Sequence, residues 1–147
     1  MNKKGFTLIE LLAVIIVLAI IALIATPIIF NVIENAKIKS MENSTYGVID
    51  AVRTRYAESL LNSENGNIDA ITKGTDGKGV SVLELTVSGE KPTAGTYYID
   101  DSSTATTANR GIKVWGVKFA SMNGYTCSNT SDGTQTGTLQ TKVTCKK

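Results

Sequence analysis

Twenty-five consecutive residues, Phe6 to Phe30, hold 21 apolar side chains. As a helix this run is about 37 Å long at 1.5 Å per residue, more than the hydrocarbon thickness of a bilayer. The other 122 of the 147 residues are only about one-third apolar. The chain is therefore two materials joined end to end, a hydrocarbon-like rod and a fairly polar remainder. A plain soluble globule is excluded, and so is a multi-span membrane protein, because only one stretch is long enough to cross. Past residue 30 there is enough chain for one modest core.

Charge divides in the same place. Lys3 and Lys4 precede the apolar run, and from Phe6 onward 13 basic residues face 13 acidic ones, so the net charge of +2 belongs to the first five residues. No basic stripe is left to neutralise phosphates, and no direct nucleic-acid binding is expected. The sequence has no histidine, which removes Ser-His-Asp and Cys-His catalysis, histidine bases and His-ligated zinc. No other nucleophile–base pair emerges, so the chain is expected not to be an enzyme and to need no cofactor or metal. Gly74–Gly79 lacks the spacing and Ser/Thr of a phosphate-binding loop. Asp100-Asp101 has the donor type for calcium, but adjacent acids in a polar connector read first as solvated surface. Asn43-Ser44-Thr45 and Asn129-Thr130-Ser131 match a glycosylation sequon, a short pattern with a high chance rate.

The basic flank Met1-Asn2-Lys3-Lys4-Gly5 places the N-terminus in the cytoplasm and the remainder outside. The apolar run is too long for a conventional cleaved signal. Hydropathy alone leaves an ordinary single-pass anchor open. Two residues argue against it. A carboxylate such as Glu10 costs roughly 2.5–3.5 kcal/mol at a helix centre in lipid, less near the interface. Pro27, after Thr26, removes a backbone bond inside the helical pattern and favours a kink.

Gly5-Phe6-Thr7-Leu8-Ile9-Glu10-Leu11-Leu12, with its basic leader, long apolar run and proline, resembles the cleavage motif of type IV prepilins and pseudopilins. The resemblance covers roughly residues 3 to 30. It implies that a membrane prepilin peptidase cuts between Gly5 and Phe6 and methylates the new Phe6 amine, and that the apolar helix is kept as a filament core. Glu10 would then pair with the Phe6 amine of a neighbouring copy, two charges whose burial is tolerable only together. Many members of the family carry a mid-helix glycine where this chain has Ala19, a better helix former by up to about 1 kcal/mol. Any loosening of the helix then falls mainly on Pro27.

Beyond Phe30 the pattern stays helical and becomes amphipathic, with Ile33, Ala36, Met41, Thr45, Val48, Val52, Tyr56 and Leu60 on one stripe. Gly47 is expected to weaken it slightly. The polar cluster Asn62–Asn67 ends a single helix of about 55 residues, with a break near Pro27 or Ser44 as the alternative. The period then changes. Strands are expected at Val80–Val87 and Thr96–Asp100, separated by a turn over Ser88–Gly95. Further strands are expected at Ile112–Ala120, with Trp115, Val117 and Phe119 on one face, from Tyr125 to Cys127, and over Leu139–Cys145. Asp101–Arg110 and Ser128–Gly137 read as connectors. In the final strand Leu139, Thr141, Val143 and Cys145 share a face. The expected fold is α+β, a small antiparallel sheet packed on the C-terminal half of a long helix whose apolar half protrudes. Its parts are a leader (1–5), an assembly helix (6–30) and a head (31–147) made of an amphipathic helix (31–61), a loop (62–79) and a sheet region (80–147). Cys127 and Cys145, in an outward-facing domain, are expected to pair, as in the C-terminal disulfide region of many type IV pilins; a reactive thiol or metal pair is the rival.

The function these features imply is a structural subunit of a type IV pilus-like filament. Expected partners are other copies of itself, the prepilin peptidase, an inner-membrane platform protein and an assembly ATPase, with the cytoplasmic membrane as its lodging before assembly and the cell surface after it. The alternatives are a pseudopilin of a type II secretion or DNA-uptake apparatus, and a membrane-tethered binding module that never polymerises.

Overall fold

In a computed structural model of the chain, residues 5–62, 69–74, 77–100 and 111–147 are described. The chain divides into two compact units, Met1–Lys37 and Ile38–Lys147. Helix α1 runs from Leu8 to Asn62, 55 residues without interruption at Pro27 or Ser44. In the first unit this helix satisfies its backbone polar groups internally, which is what a segment stripped of water requires.

In the second unit α1 buries Met41, Thr45, Val48, Ile49 and Val52, spaced so that one face meets the core. Buried Thr45 is tolerated because its hydroxyl donates to the Met41 carbonyl at 2.9 Å. The expected stripe is thus right in its middle and wrong at its ends, where Ile33, Ala36 and Leu60 are exposed. The core that covers the helix reaches only from Ile38 to Tyr56. Gly47 has a positive role that propensity missed. A Cβ there would stand 3.0 Å from the Ser88 carbonyl oxygen, so glycine lets helix and loop backbone approach.

Five strands follow: β1 (Val80–Ser81), β2 (Pro92–Asp100), β3 (Gly111–Phe119), β4 (Thr126–Thr130) and β5 (Leu139–Lys146). They form one sheet in sequential order, every neighbouring pair antiparallel. Tyr97, Ile99, Val114, Val117, Phe119, Cys127 and Val143 meet the helix stripe in a single core. This is the α+β arrangement expected from the sequence. A short helix α2 (Asp69–Thr72) precedes the sheet. The helix-ending cluster Ser63–Asn67, Asp101 of the Asp100-Asp101 pair and the connector 101–110 lie outside the described residues.

The limits of β1 and β2 and the facing of β3 differ from expectation, each for a local reason, and β4, expected from Tyr125 to Cys127, runs from Thr126 to Thr130, into the expected connector. The strand expected over Val80–Val87 stops at Ser81, whose hydroxyl accepts the Leu83 N–H at 3.3 Å. A 3₁₀ turn over Val82–Glu84 follows, a case of a side chain competing with the ladder for a backbone donor. Strand β2 starts at Pro92 rather than Thr96, because a proline at a strand's first residue forfeits no essential bond. In β3, Thr96 pairs with Trp115 but Ala94 with Lys118, so β3 carries an extra residue there. Gly116, at φ 67°, supplies the bend. The bulge resets the alternation. Val117 and Phe119 reach the core on one side of it and Val114 on the other, while Trp115 is only half-buried. The expected shared face of Trp115, Val117 and Phe119 is corrected accordingly. In β5, Val143 is buried and Leu139 and Cys145 are half-buried, but Thr141 is exposed.

Cys127 and Cys145 form a disulfide. They are direct partners across β4 and β5, and their Cα separation of 4.0 Å marks the narrow, non-hydrogen-bonded type of pair. The bridge closes the loop that contains the whole β4–β5 connection. Its removal by reductant, or in a Cys127→Ala/Cys145→Ala variant, is expected to cost about 3 kcal/mol. Urea unfolding of the detergent-solubilised chain, followed by the fluorescence of its single tryptophan, Trp115, reads this directly. A loss below about 1 kcal/mol would mean that β4 and β5 hold their register unaided.

Candidate functional site

The N-terminal segment is built around the start of α1. Gly5, Phe6 and Thr7 precede the helix, and Phe6 is 88 % exposed. Thr7 is the N-cap residue. Its N–H donates to Glu10 Oε2 at 2.8 Å, its hydroxyl donates to the same oxygen at 2.7 Å, and the Glu10 N–H approaches Thr7 Oγ1 at 3.4 Å. This is a capping box, a reciprocal pairing of N-cap and N3 residues that satisfies orphan donors at the helix start. The signal was present in the sequence as Thr7-Leu8-Ile9-Glu10, yet composition drew attention to Glu10 alone. Thr7 is therefore a site residue that the sequence reading missed.

Below this cap the helix presents hydrocarbon on every side. The large apolar residues from Leu8 to Phe30 are all exposed, as are Val32 and Ile33. It is the one helix among the described residues long and apolar enough to cross a membrane, with a window of mean hydropathy 3.2. Helix continues through Ala19 and Pro27. Next to the proline, the Thr26 hydroxyl donates to the Ala22 carbonyl at 2.6 Å, adding a local bond where Pro27 supplies none.

In the second unit, Asn129 is 5 % exposed. Its Oδ1 accepts the Val114 N–H at 2.7 Å and its Nδ2 donates to the Ile112 carbonyl at 2.9 Å. The carboxamide is committed to the sheet, so the sequon at Asn129 is a structural clamp. Asn43, in the other sequon, is an exposed helix residue followed by a buried Thr45. The β4–β5 connection is also pinned. Buried Lys113 donates to the Gln135 carbonyl at 3.1 Å, and Gln135 Nε2 donates to the Gly77 carbonyl at 2.9 Å. Within the connection, the backbone and side chain of Thr134 bond the Asp132 carboxylate and hold its pKa below the usual range, with a smaller contribution from the Lys113 charge.

The start of α1 is thus an exposed apolar segment with a capped carboxylate at its third helical residue. Residues 1–26 match the family described as the prokaryotic N-terminal methylation motif. The chain carries a type IV prepilin-like signal. No curated protein and no solved structure matches it. The signal covers Gly5, Phe6, Thr7 and Glu10 and stops one residue short of Pro27. A prepilin-like signal implies processing by a prepilin peptidase and pilin-type assembly in general, and the apolar helix beneath it fits anchoring in a membrane before assembly. Behind this signal stand an α+β second unit and a disulfide, an arrangement that fits the type IV pilins and pseudopilins.

Proposed function

We propose that this chain is the structural subunit of a type IV pilus-like surface filament. A prepilin peptidase cuts it between Gly5 and Phe6 and methylates the Phe6 amine. It waits in the cytoplasmic membrane with its N-terminus inside, then leaves the lipid as its Phe6–Phe30 segment joins those of other copies. Glu10 of one copy pairs with the Phe6 amine of the next. A platform protein and an assembly ATPase in the inner membrane are the further partners.

What carries this reading is the conjunction of an apolar helix exposed on every face with a carboxylate bonded at its head. A passive anchor has no use for that charge. Twenty-one apolar side chains at about 1 kcal/mol each would hold a copy firmly, but lipid satisfies them as well as a neighbouring helix does. The net gain on leaving the membrane is therefore small, which suits assembly and disassembly by an external motor.

Two measurements test the proposal together, mass spectrometry of the mature N-terminus and electron microscopy of sheared cell surfaces. A methylated Phe6 terminus with long filaments is the expected result. An intact Met1 would overturn the reading in favour of a tether. Methylated Phe6 without surface filaments would move the chain to the pseudopilins.

A further inference from the structure

A subunit that polymerises into an open helical filament must present one surface to the copy ahead and a different one to the copy behind. Beyond the Glu10–Phe6 pair, uniform hydrocarbon helices distinguish poorly between neighbouring registers. Further specificity then falls on the polar surface of the second unit, and two regions there are opposite in charge.

The first is a cleft of about 780 Å³ along α1, lined by Asp50, Glu58 and Glu84 among others, with Arg55 as the single cation among the described lining residues. Arg55 is drawn to Glu84 at 3.5 Å, so the carboxylates of Asp50 and Glu58 set the sign of the rest. The second is the exposed basic surface of β5. Val143 and Cys145 pack inward, whereas Lys142 and Lys146 stay out of the core. Both lysines are exposed, as are Lys147 and, on β3, Lys118. Asp132 is the only acid among the described residues lining the adjacent groove that holds Lys146 and Lys147.

We propose that the exposed lysines Lys142 and Lys146 of β5 in one copy dock on the Asp50–Glu58 cleft of a second copy. The inference rests on the filament reading and deepens it. The sign of the charges supports it: two exposed lysines of β5 meet two carboxylates that line the cleft. Asp50 already holds Arg53 at 2.8 Å, but that contact is an exposed pair three residues apart and exchanges readily for another cation.

The test is a charge swap in the full chain. Lys142→Glu/Lys146→Glu, Asp50→Lys/Glu58→Lys and the combination of all four are compared with the parent. Sheared filament is measured relative to membrane-held, disulfide-linked subunit, which reports that each variant folds. Each pair alone should lower filament yield on the order of tenfold or more, since it sets like charges against each other, and the combination should restore most of it. Parental yields from both single pairs would overturn the proposal. Loss from the lysine pair that the combination does not restore would also overturn it, assigning those lysines to some other anionic partner. Absence of filament from the parent itself would remove the filament reading, and this inference with it.

Discussion

Glu10→Val is expected to leave the chain in the membrane at parental levels or above and to abolish surface filaments. Removing a carboxylate from an apolar helix favours insertion, by up to about 2.5–3.5 kcal/mol at a helix centre and by less near its end. Two things are lost in exchange. One is the proposed charge pair with the Phe6 amine of a neighbour. The other is the capping box, in which Glu10 Oε2 accepts both the N–H and the hydroxyl of Thr7, worth about 1 kcal/mol at a helix start. The two losses are separable. Glutamine is as good a capping-box partner as glutamate but carries no charge. If pairing governs assembly, Glu10→Gln loses filaments as completely as Glu10→Val. If capping governs it, Glu10→Gln assembles and Glu10→Val does not. Parental filament yields from both variants would remove Glu10 from assembly altogether. Capping and pairing are compatible in the parent, because a carboxylate offers about four acceptor positions and Thr7 engages one oxygen only.

The N-terminal segment was legible from composition because a bilayer imposes a one-dimensional rule. Enough consecutive apolar residues make a spanning helix whatever the rest of the chain does. Glu10 and Pro27 stood out as exceptions to that rule. Thr7 did not, since a threonine at the edge of an apolar run violates nothing and its partner lies three residues on. The middle of the amphipathic stripe was equally legible, but its limits were not. How far a helix face is buried depends on how much sheet is available to cover it, and Ile33 and Leu60 lie beyond that cover.

Strand limits failed where one side chain or one glycine outvoted the pattern. Ser81 captured a backbone donor and ended β1, and Gly116 shifted the phase of β3 so that Trp115 left the face it was expected to share. Both are decided by contacts that alternation does not encode. The disulfide was legible in outline because two cysteines admit one intramolecular pairing. Its position, directly across β4 and β5, required the register.

Asn129 was hidden most completely, in a stretch read as a connector with a chance sequon, and a stability effect as large as that of the disulfide is expected there. Strands β3 and β4 share a single paired position, Val117 with Cys127. The Asn129 side chain takes over where that ladder stops, accepting from Val114 and donating to Ile112. Asn129→Ala leaves a backbone N–H and a carbonyl without partners beside the core. At about 1–3 kcal/mol each, with some relief from water at the partly buried carbonyl, the loss should be about 2–4 kcal/mol. Asn129→Asp should be no better, because it keeps an acceptor for Val114 but sets a carboxylate against the Ile112 carbonyl. Ser131→Ala is the control. It destroys the sequon and spares the clamp, losing only the 3.0 Å contact with the Thr138 N–H, about 1 kcal/mol. Urea unfolding followed at Trp115, the neighbour of Val114 in β3, reads all three variants. If Asn129→Ala unfolds with the parent while Ser131→Ala is impaired, the clamp is idle and the sequon is the feature that matters. The expected order is the reverse, because two buried backbone groups depend on one carboxamide.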